Sequence, residues 1–254
     1  MDKAPMNIPE QSMSISLNGA SLVVKVVNLS LLETNVEAIV NAANCEMRGG
    51  SGINGAIQKM AGPQLLKNLE EIAPNGCATG ELVVTGGFET RFKHIFHTPG
   101  PIWKGGDAGE AELLSNSYWN CLNEANTMKL KSIGFCSIST GIYGYPLQDG
   151  ANIAVKTLVD YVSSAVDDIG VFNLNEVVFA MYTENEYNAF IQAFNTIFIP
   201  WVESRAPVSK NLSWWDKIKN WFKELIETPS VELEQWNDHV ERELLQKKER
   251  EGRN

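Results

Sequence analysis

Two side-chain amides, Asn41 and Asn44, sit at the end of a short strand-like run, Glu37 to Asn41, and lead into Cys45-Glu46-Met47-Arg48-Gly49-Gly50-Ser51-Gly52-Ile53-Asn54-Gly55. The glycines free the backbone to take positive φ and let bare N–H groups approach a phosphate closely. Helical spacing resumes from Ile53 to Met60, so those N–H groups gather at a helix N-terminus, where the dipole favours an anion. The chemistry is that of a diphosphate cradle flanked by amides, and it needs no basic side chain. Gly50-Ser51-Gly52-Ile53-Asn54-Gly55 also satisfies G-x-G-x-x-G, with Glu70 or Glu71 near the position of a ribose-binding acid. In that fingerprint, however, the first glycine sits in the turn right after its strand, whereas here a polar stretch intervenes.

A second small-residue loop, Ser139-Thr140-Gly141-Ile142-Tyr143-Gly144-Tyr145-Pro146, follows another buried-strand pattern, Ser132 to Ile138. Two such loops after two strands predict one crevice at the carboxyl edge of an α/β sheet. Between them, His94-Ile95-Phe96-His97-Thr98-Pro99-Gly100-Pro101 reads as a strand ending in a rigid turn. The two histidines are taken to face one side of that strand. With no third ligand in view, a hydrogen-bonded strand pair is preferred to a metal site.

These segments, from about Leu22 to about Phe198, resemble the macrodomain family, and specifically its MacroD-type branch with bacterial O-acetyl-ADP-ribose deacetylases. The resemblance rests on Asn41-Ala42-Ala43-Asn44, the glycine loop to Asn54, the His-Thr-x-Gly-Pro turn and the Ser-Thr-Gly-x-Tyr-Gly-Tyr-Pro loop, in that order. Val177 to Asn185 is similar to the family's last strand. The resemblance implies a three-layer α/β/α fold with a mixed central sheet. It implies ADP-ribose or O-acetyl-ADP-ribose as ligand, with ADP-ribosylated proteins as further partners; no cofactor is expected, and the absence of a third ligand beside the two histidines predicts no metal requirement.

By the same resemblance, Gly49, Gly50, Ser51, Gly52 and Ile53 hold one side of the diphosphate, and Ser139, Thr140, Gly141, Ile142 and Tyr143 the other. Tyr143 also lies against the distal ribose, which Asn44 contacts, and Tyr182 takes the place of the adenine-stacking aromatic. Asn28-Leu29-Ser30 stands where the family has Asp-Ile-Thr, so Asn28 keeps an acceptor for the adenine amino group without its charge. Asn54 replaces an Asp that orients or activates water in hydrolytic members, and Gln58 replaces a His. An amide is no ordinary general base, and losing such a base costs about 10²- to 10⁴-fold, while positioning terms survive.

Two functions therefore stand side by side. One is hydrolysis of mono-ADP-ribose from acidic side chains or of O-acetyl-ADP-ribose, with Asn44, Asn54 and Tyr143 as the catalytic candidates and a substrate phosphate oxygen helping to deprotonate water. The other is a reader of ADP-ribose with little or no turnover. Glu46 is a possible replacement carboxylate, although a solvated surface acid is the plainer reading.

At 254 residues the chain suits one domain with an extension, or two small ones. A net charge of -10 argues against a general nucleic-acid surface. No signal-peptide core or membrane-span run is evident, which predicts a cytoplasmic protein. Cys45, Cys77, Cys121 and Cys136 are scattered without a C-x-x-C pair, against a disulfide framework or zinc site. Cys136 reads as core and Cys45 as a small filler beside Asn44.

The outline is alternating. Met13 to Leu17 and Leu22 to Val27 flank an Asn18-Gly19 hairpin signal, and Pro63 opens a helix that Pro74-Asn75-Gly76 breaks. Strands over 81–85 and 93–98 follow, then helices over 111–128 and 153–166, a strand over 176–182 and a helix over 184–198. Tyr118 is assigned to the core. Residues 1–199 form the macrodomain, 200–212 a linker and 213–254 a helical tail. The tail's aromatic stripe, Trp214, Trp215, Trp221, Phe222 and Trp236, is expected to be covered by its own core, a twin subunit or a partner protein, with a membrane surface disfavoured by the mixed charge from Glu241 to Arg253.

Overall fold

The computed structural model describes residues 10–17, 20–168 and 172–205. Apolar runs rich in β-branched residues supply its strands: β1 Gln11–Leu17, β2 Ala20–Val27, β3 Ala38–Ala43, β4 Val83–Gly86, β5 His94–Pro99, β6 Ser132–Phe135 and β7 Glu176–Ala180. They form one sheet in the order β1-β2-β7-β6-β3-β5-β4. Only the outermost pairs, β1 with β2 and β4 with β5, are antiparallel; every pairing between β2 and β5 is parallel. Mixed pairing follows from the chain's connections, since parallel neighbours need a long crossover. Leu17 stands opposite Ala20, while the Asn18-Gly19 turn itself lies outside the described residues.

Both faces of the sheet are covered. Helices α1 Gly52–Ala61 and α2 Pro63–Ile72 bring Ile57, Ala61, Leu65 and Leu69 against Ile39, Ile95 and Val178. Helices α3 Glu110–Thr127, α4 Leu147–Asp168 and α5 Glu184–Ala193 cover the other face. There Phe179 of β7 meets Phe135 at 5.8 Å, Phe190 at 5.3 Å and Tyr118 at 6.5 Å between ring centroids. Period-two alternation sends Val178 to one layer and Phe179 to the other. The result is a three-layer α/β/α sandwich. Among the described residues no helix is long and apolar enough to cross a membrane.

Several boundaries differ from the sequence reading: β6 ends at Phe135 rather than Ile138, β4 runs from Val83 to Gly86 rather than over 81–85, and β7 ends at Ala180 rather than Tyr182. Helix α4 begins at Leu147 rather than Ile153, running through Gly150. A Cβ at Gly150 would stand 2.9 Å from Thr140 Cγ2, so this glycine permits close packing and does not break the helix. Helix α5 passes into a π turn, Phe194–Phe198, and then α6 Ile199–Arg205, across Pro200. Proline lacks an N–H and crowds the preceding turn. The wider turn, closed by Ile199 N–H on the Phe194 carbonyl, accommodates it.

The linker expected from residue 200 is thus helical to Arg205. Trp201 anchors it through its ring 5.5 Å from Phe198 and an Nε1–H bond of 3.1 Å to Ser163 Oγ on α4. The rest of the expected linker and the helical tail over 213–254 lie outside the described residues.

Phe179→Ala should open a cavity where two helices and two strands meet and cost about 3–5 kcal/mol. Urea denaturation should show a lowered midpoint with an unchanged slope.

Candidate functional site

Because β2, β7, β6, β3 and β5 run parallel side by side, the loops at their carboxyl ends open on one edge. Asn28 and Leu29 follow β2, Tyr182 follows β7, Ser139 to Tyr143 lie beyond β6, and Asn44 to Ile53 follow β3. All the site residues expected from sequence therefore come to this edge. From β2 to β3 is three inter-strand steps, about 14 Å, so the expected base-binding and ribose-binding groups stand at opposite ends of one line. Leu29 is 38% exposed, Ile142 80% and Tyr182 79%, large apolar groups left open along it.

Amides shape the glycine loop. Asn44 Nδ2 donates to the carbonyls of Arg48 at 3.3 Å and Gly49 at 3.1 Å, and its Oδ1 accepts Arg48 N–H at 3.1 Å. Gln58 Nε2 donates to the same Arg48 carbonyl at 3.1 Å, and Asn54 Nδ2 to it at 3.4 Å. In a trans peptide the C=O and the following N–H point opposite ways. Turning the Arg48 and Gly49 carbonyls toward the amides therefore turns the Gly49 and Gly50 N–H groups away from them. The N–H groups of Gly49, Gly50 and Ser51 find no protein acceptor among the described residues. Gly50 has no room for a side chain, since a Cβ would collide with the Asn54 amide.

The second loop has a matching set. Thr140, Gly141, Ile142 and Tyr143 donate no backbone N–H to a protein acceptor among the described residues, while Gly144 N–H closes a turn on Gly141 at 2.9 Å and Tyr145 N–H bonds Ser139 at 3.0 Å. Ser139 holds φ at 67°, a left-handed conformation unusual for a residue with a Cβ. Its buried hydroxyl has no partner. Tyr118, buried as core, also steers this loop: its hydroxyl accepts Ile138 N–H at 3.1 Å and donates to the Cys136 carbonyl at 3.4 Å.

A third loop, over 100–109, was not anticipated as part of the site. Trp103 N–H donates to the Tyr143 carbonyl at 2.9 Å, and its ring meets Tyr145 edge-on at 4.7 Å. Glu110 ties this loop down, its carboxylate accepting N–H bonds from Lys104 at 2.9 Å, Gly106 at 3.1 Å and Ala108 at 2.6 Å. Its own N–H, together with these donors, holds the carboxyl below the usual range. The sequence signal was an acid at the head of a helix after a glycine pair, which by itself reads as ordinary dipole pairing.

Asn54 is 5% exposed. Its Oδ1 accepts from Asn41 Nδ2 at 2.8 Å and Gln58 Nε2 at 2.9 Å. Asn41 also reaches His97 Nδ1 at 3.0 Å, and His97 Nε2 lies 2.9 Å from Thr85 Oγ1. Burial pushes the His97 imidazole down to about 3, so the ring is neutral at working pH. The reading of His94 and His97 as sharing a face does not hold. Residues three apart on a strand point to opposite faces, and His97 is buried while His94 is half-buried.

Nor is Cys45 a filler beside Asn44: it is exposed, with Sγ 3.5 Å from Thr79 Oγ1. It lies in a surface turn whose carbonyl accepts Cys77 N–H at 2.8 Å. Burial raises the Cys77 thiol to about 11 and that of Cys136 to about 12. Tyr143 is half-buried, and desolvation, then Cys45 and Glu46, raise its hydroxyl. Asn28 is half-buried with its Nδ2 enclosed and unpartnered.

The family model described as Macro domain matches residues 40–154. A macro domain-containing protein of Xanthomonas campestris pv. campestris is 43% identical over 170 residues, 65% of this chain and 92% of that protein. The O-acetyl-ADP-ribose deacetylase of Salmonella newport is 43% identical over 141 residues, 55% of this chain and 79% of that protein. Among solved structures, the Oceanobacillus iheyensis macrodomain with ADP is similar at 33% identity and a TM-score of 0.65, covering 76% of this chain and 100% of that one. A Trypanosoma brucei macrodomain in complex with ADP-ribose is similar at 34% identity and a TM-score of 0.58, covering 66% of this chain and 68% of that one.

Glu110→Gln should loosen the 103–108 backbone, read as faster amide exchange at Lys104, Gly106 and Ala108. The lowered carboxyl fixes the sign of the pH effect. The stabilisation from Glu110 is full above the unfolded-state value and is lost as pH falls through the lower folded-state value. The stability gap between parent and variant should therefore close in acid.

Proposed function

The chain belongs to the Macro domain family, and on that premise we propose that it binds ADP-ribose along this edge and hydrolyses mono-ADP-ribose from acidic protein side chains, or O-acetyl-ADP-ribose. The observation that carries the reading is the two sets of unpartnered N–H groups, at 49–51 and 140–143. Such groups bind a diphosphate without net positive charge, in keeping with a chain of charge -10. Related macrodomains have been solved with ADP and ADP-ribose, which supports the ligand class.

In this reading Asn28, Leu29 and Tyr182 take the adenine end, with Asn28 Oδ1 the acceptor for the adenine amino group. Gly49, Gly50, Ser51, Gly52 and Ile53 face Ser139, Thr140, Gly141, Ile142 and Tyr143 across the diphosphate. Asn44 commits both N–H bonds to the loop and keeps a lone pair of Oδ1 for a ribose hydroxyl. For an ADP-ribosyl ester, water bonds to the anomeric carbon as the C–O bond to the carboxylate breaks. The water's proton passes to a phosphate oxygen of the substrate itself. Asn54 supplies no base, and its oxygen is already committed to two protein donors. That commitment favours the second reading, an ADP-ribose reader with little turnover.

Calorimetric titration with ADP-ribose, followed by incubation with a glutamate-linked ADP-ribosyl protein, separates the two. Release of ADP-ribose selects the hydrolase, tight binding without release the reader, and absence of heat defeats both. Asn44→Ala should free the Gly49 carbonyl and the Arg48 N–H and cut any turnover about 10²-fold. Asn54→Asp keeps both donors on Oδ1 and adds a basic group, so turnover should rise. An unchanged rate would argue that the catalytic geometry itself has been lost.

A further inference from the structure

We propose that His97 and Asn41 are positioning residues for the glycine-rich loop: their buried hydrogen bonds fix which way the Asn54 amide faces, and through it the direction of the Arg48 carbonyl and the Gly49 N–H. The role rests on the ADP-ribose reading only for its effect on ligand; the geometry stands by itself.

The direction of each bond follows from counting protons. The Arg48 carbonyl can only accept, and Asn54 Nδ2 donates to it at 3.4 Å, which turns Asn54 Oδ1 toward Asn41. That oxygen accepts one N–H of Asn41 Nδ2 at 2.8 Å, and the other points to His97 Nδ1 at 3.0 Å, which must accept it. A neutral ring then carries its proton on Nε2, 2.9 Å from the Thr85 hydroxyl, which accepts it and is left to donate to the Gly86 carbonyl at 3.1 Å. Both protons are in use, and Asn41 Oδ1 is the atom left buried without a partner.

A flipped Asn41 would set its oxygen against Asn54 Oδ1 and against a bare ring nitrogen. The histidine tautomer and the asparagine orientation are thus locked to one another, and Asn41 with Gln58 holds Asn54 in the matching direction. Only the Nδ2 end of Asn54 remains for the Arg48 carbonyl. The relay runs from Thr85 on β4 through His97 on β5 and Asn41 on β3 to α1. It is made possible by the parallel register that sets Asn41 directly beside His97. None of these side chains needs to touch a ligand: Asn41 and His97 are fully buried, and Thr85 is 3% exposed.

His97→Leu removes the acceptor and leaves an Asn41 N–H buried and unmatched. Calorimetry on the full chain should show ADP-ribose affinity reduced about tenfold. His97→Gln offers an amide oxygen to Asn41 and an N–H to Thr85, and should restore most of the loss. Parent-like affinity in a folded His97→Leu, or a glutamine variant as weak as the leucine one, would overturn the proposal.

A second readout needs neither ligand nor variant: nitrogen NMR of the unliganded parent should find the His97 ring neutral with its proton on Nε2 at neutral pH. A ring protonated on Nδ1 would reverse every bond in the relay and end the argument. In folded His97→Leu the Gly49 and Gly50 amide signals should move, and unmoved signals would count against the proposal. If the parent gives no heat with ADP-ribose, the ligand assignment falls and the NMR measurements decide the positioning role on their own.

Discussion

Five strands that run the same way, from β2 to β5, impose one constraint on everything else: the connection leaving each strand must emerge at a single edge. Such a run is covered by helices on both faces, so its strands carry apolar residues on both. Ile39, Val40, Ile95, Phe96, Ile133 and Phe135 are all fully buried. The interior thereby becomes rigid and dry, and the variable chemistry is pushed into the connections. Short loops on such a frame can hold unpartnered N–H groups in place without further scaffolding, because the strand ends that carry them cannot drift relative to one another.

Within this apolar frame Asn41 and His97 are fully buried polar groups, and hydrogen bonds match all of their polar atoms except Asn41 Oδ1. An unpaired buried donor costs about 1–3 kcal/mol, which argues that buried amides in a sheet persist where something depends on their direction. Here the dependent object is a peptide plane. Three amides, from Asn44, Asn54 and Gln58, converge on the Arg48 carbonyl. A neutral acceptor surrounded by neutral donors leaves no net charge behind, so the amides that orient the loop add no charge that would oppose an anion.

Much of this was legible in the sequence. The glycine cluster after Asn44, the small loop after Ser132 to Ile138 and the alternation of apolar runs give both crevice walls and the layer order, because local periodicity and turn chemistry decide them. The hidden part depends on register. That Asn41 lies beside His97 is a property of how β3 and β5 align, and no spacing along one strand reveals its neighbour. The reading of His94 and His97 as one face failed on the simplest count, since an odd separation on a strand places side chains on opposite faces. The start of α4 at Leu147, ahead of the expected 153, lies in a stretch where Gly150 is kept for close approach to Thr140. The Glu110 clamp on the 103–108 backbone needed a loop path that composition does not encode.

The π turn at Phe194–Phe198 shifts the phase of the helix beyond it. One extra residue in a helical turn rotates everything downstream by about 100° relative to an unbroken α-helix. Trp201 lies just past that shift, and its indole reaches Ser163 on α4. Trimming a single residue from the turn would swing the indole roughly a quarter of the way around the helix and undock the last turns while leaving their composition intact. The widened turn therefore acts as an angular spacer, aiming the final aromatic of the described fold at its berth.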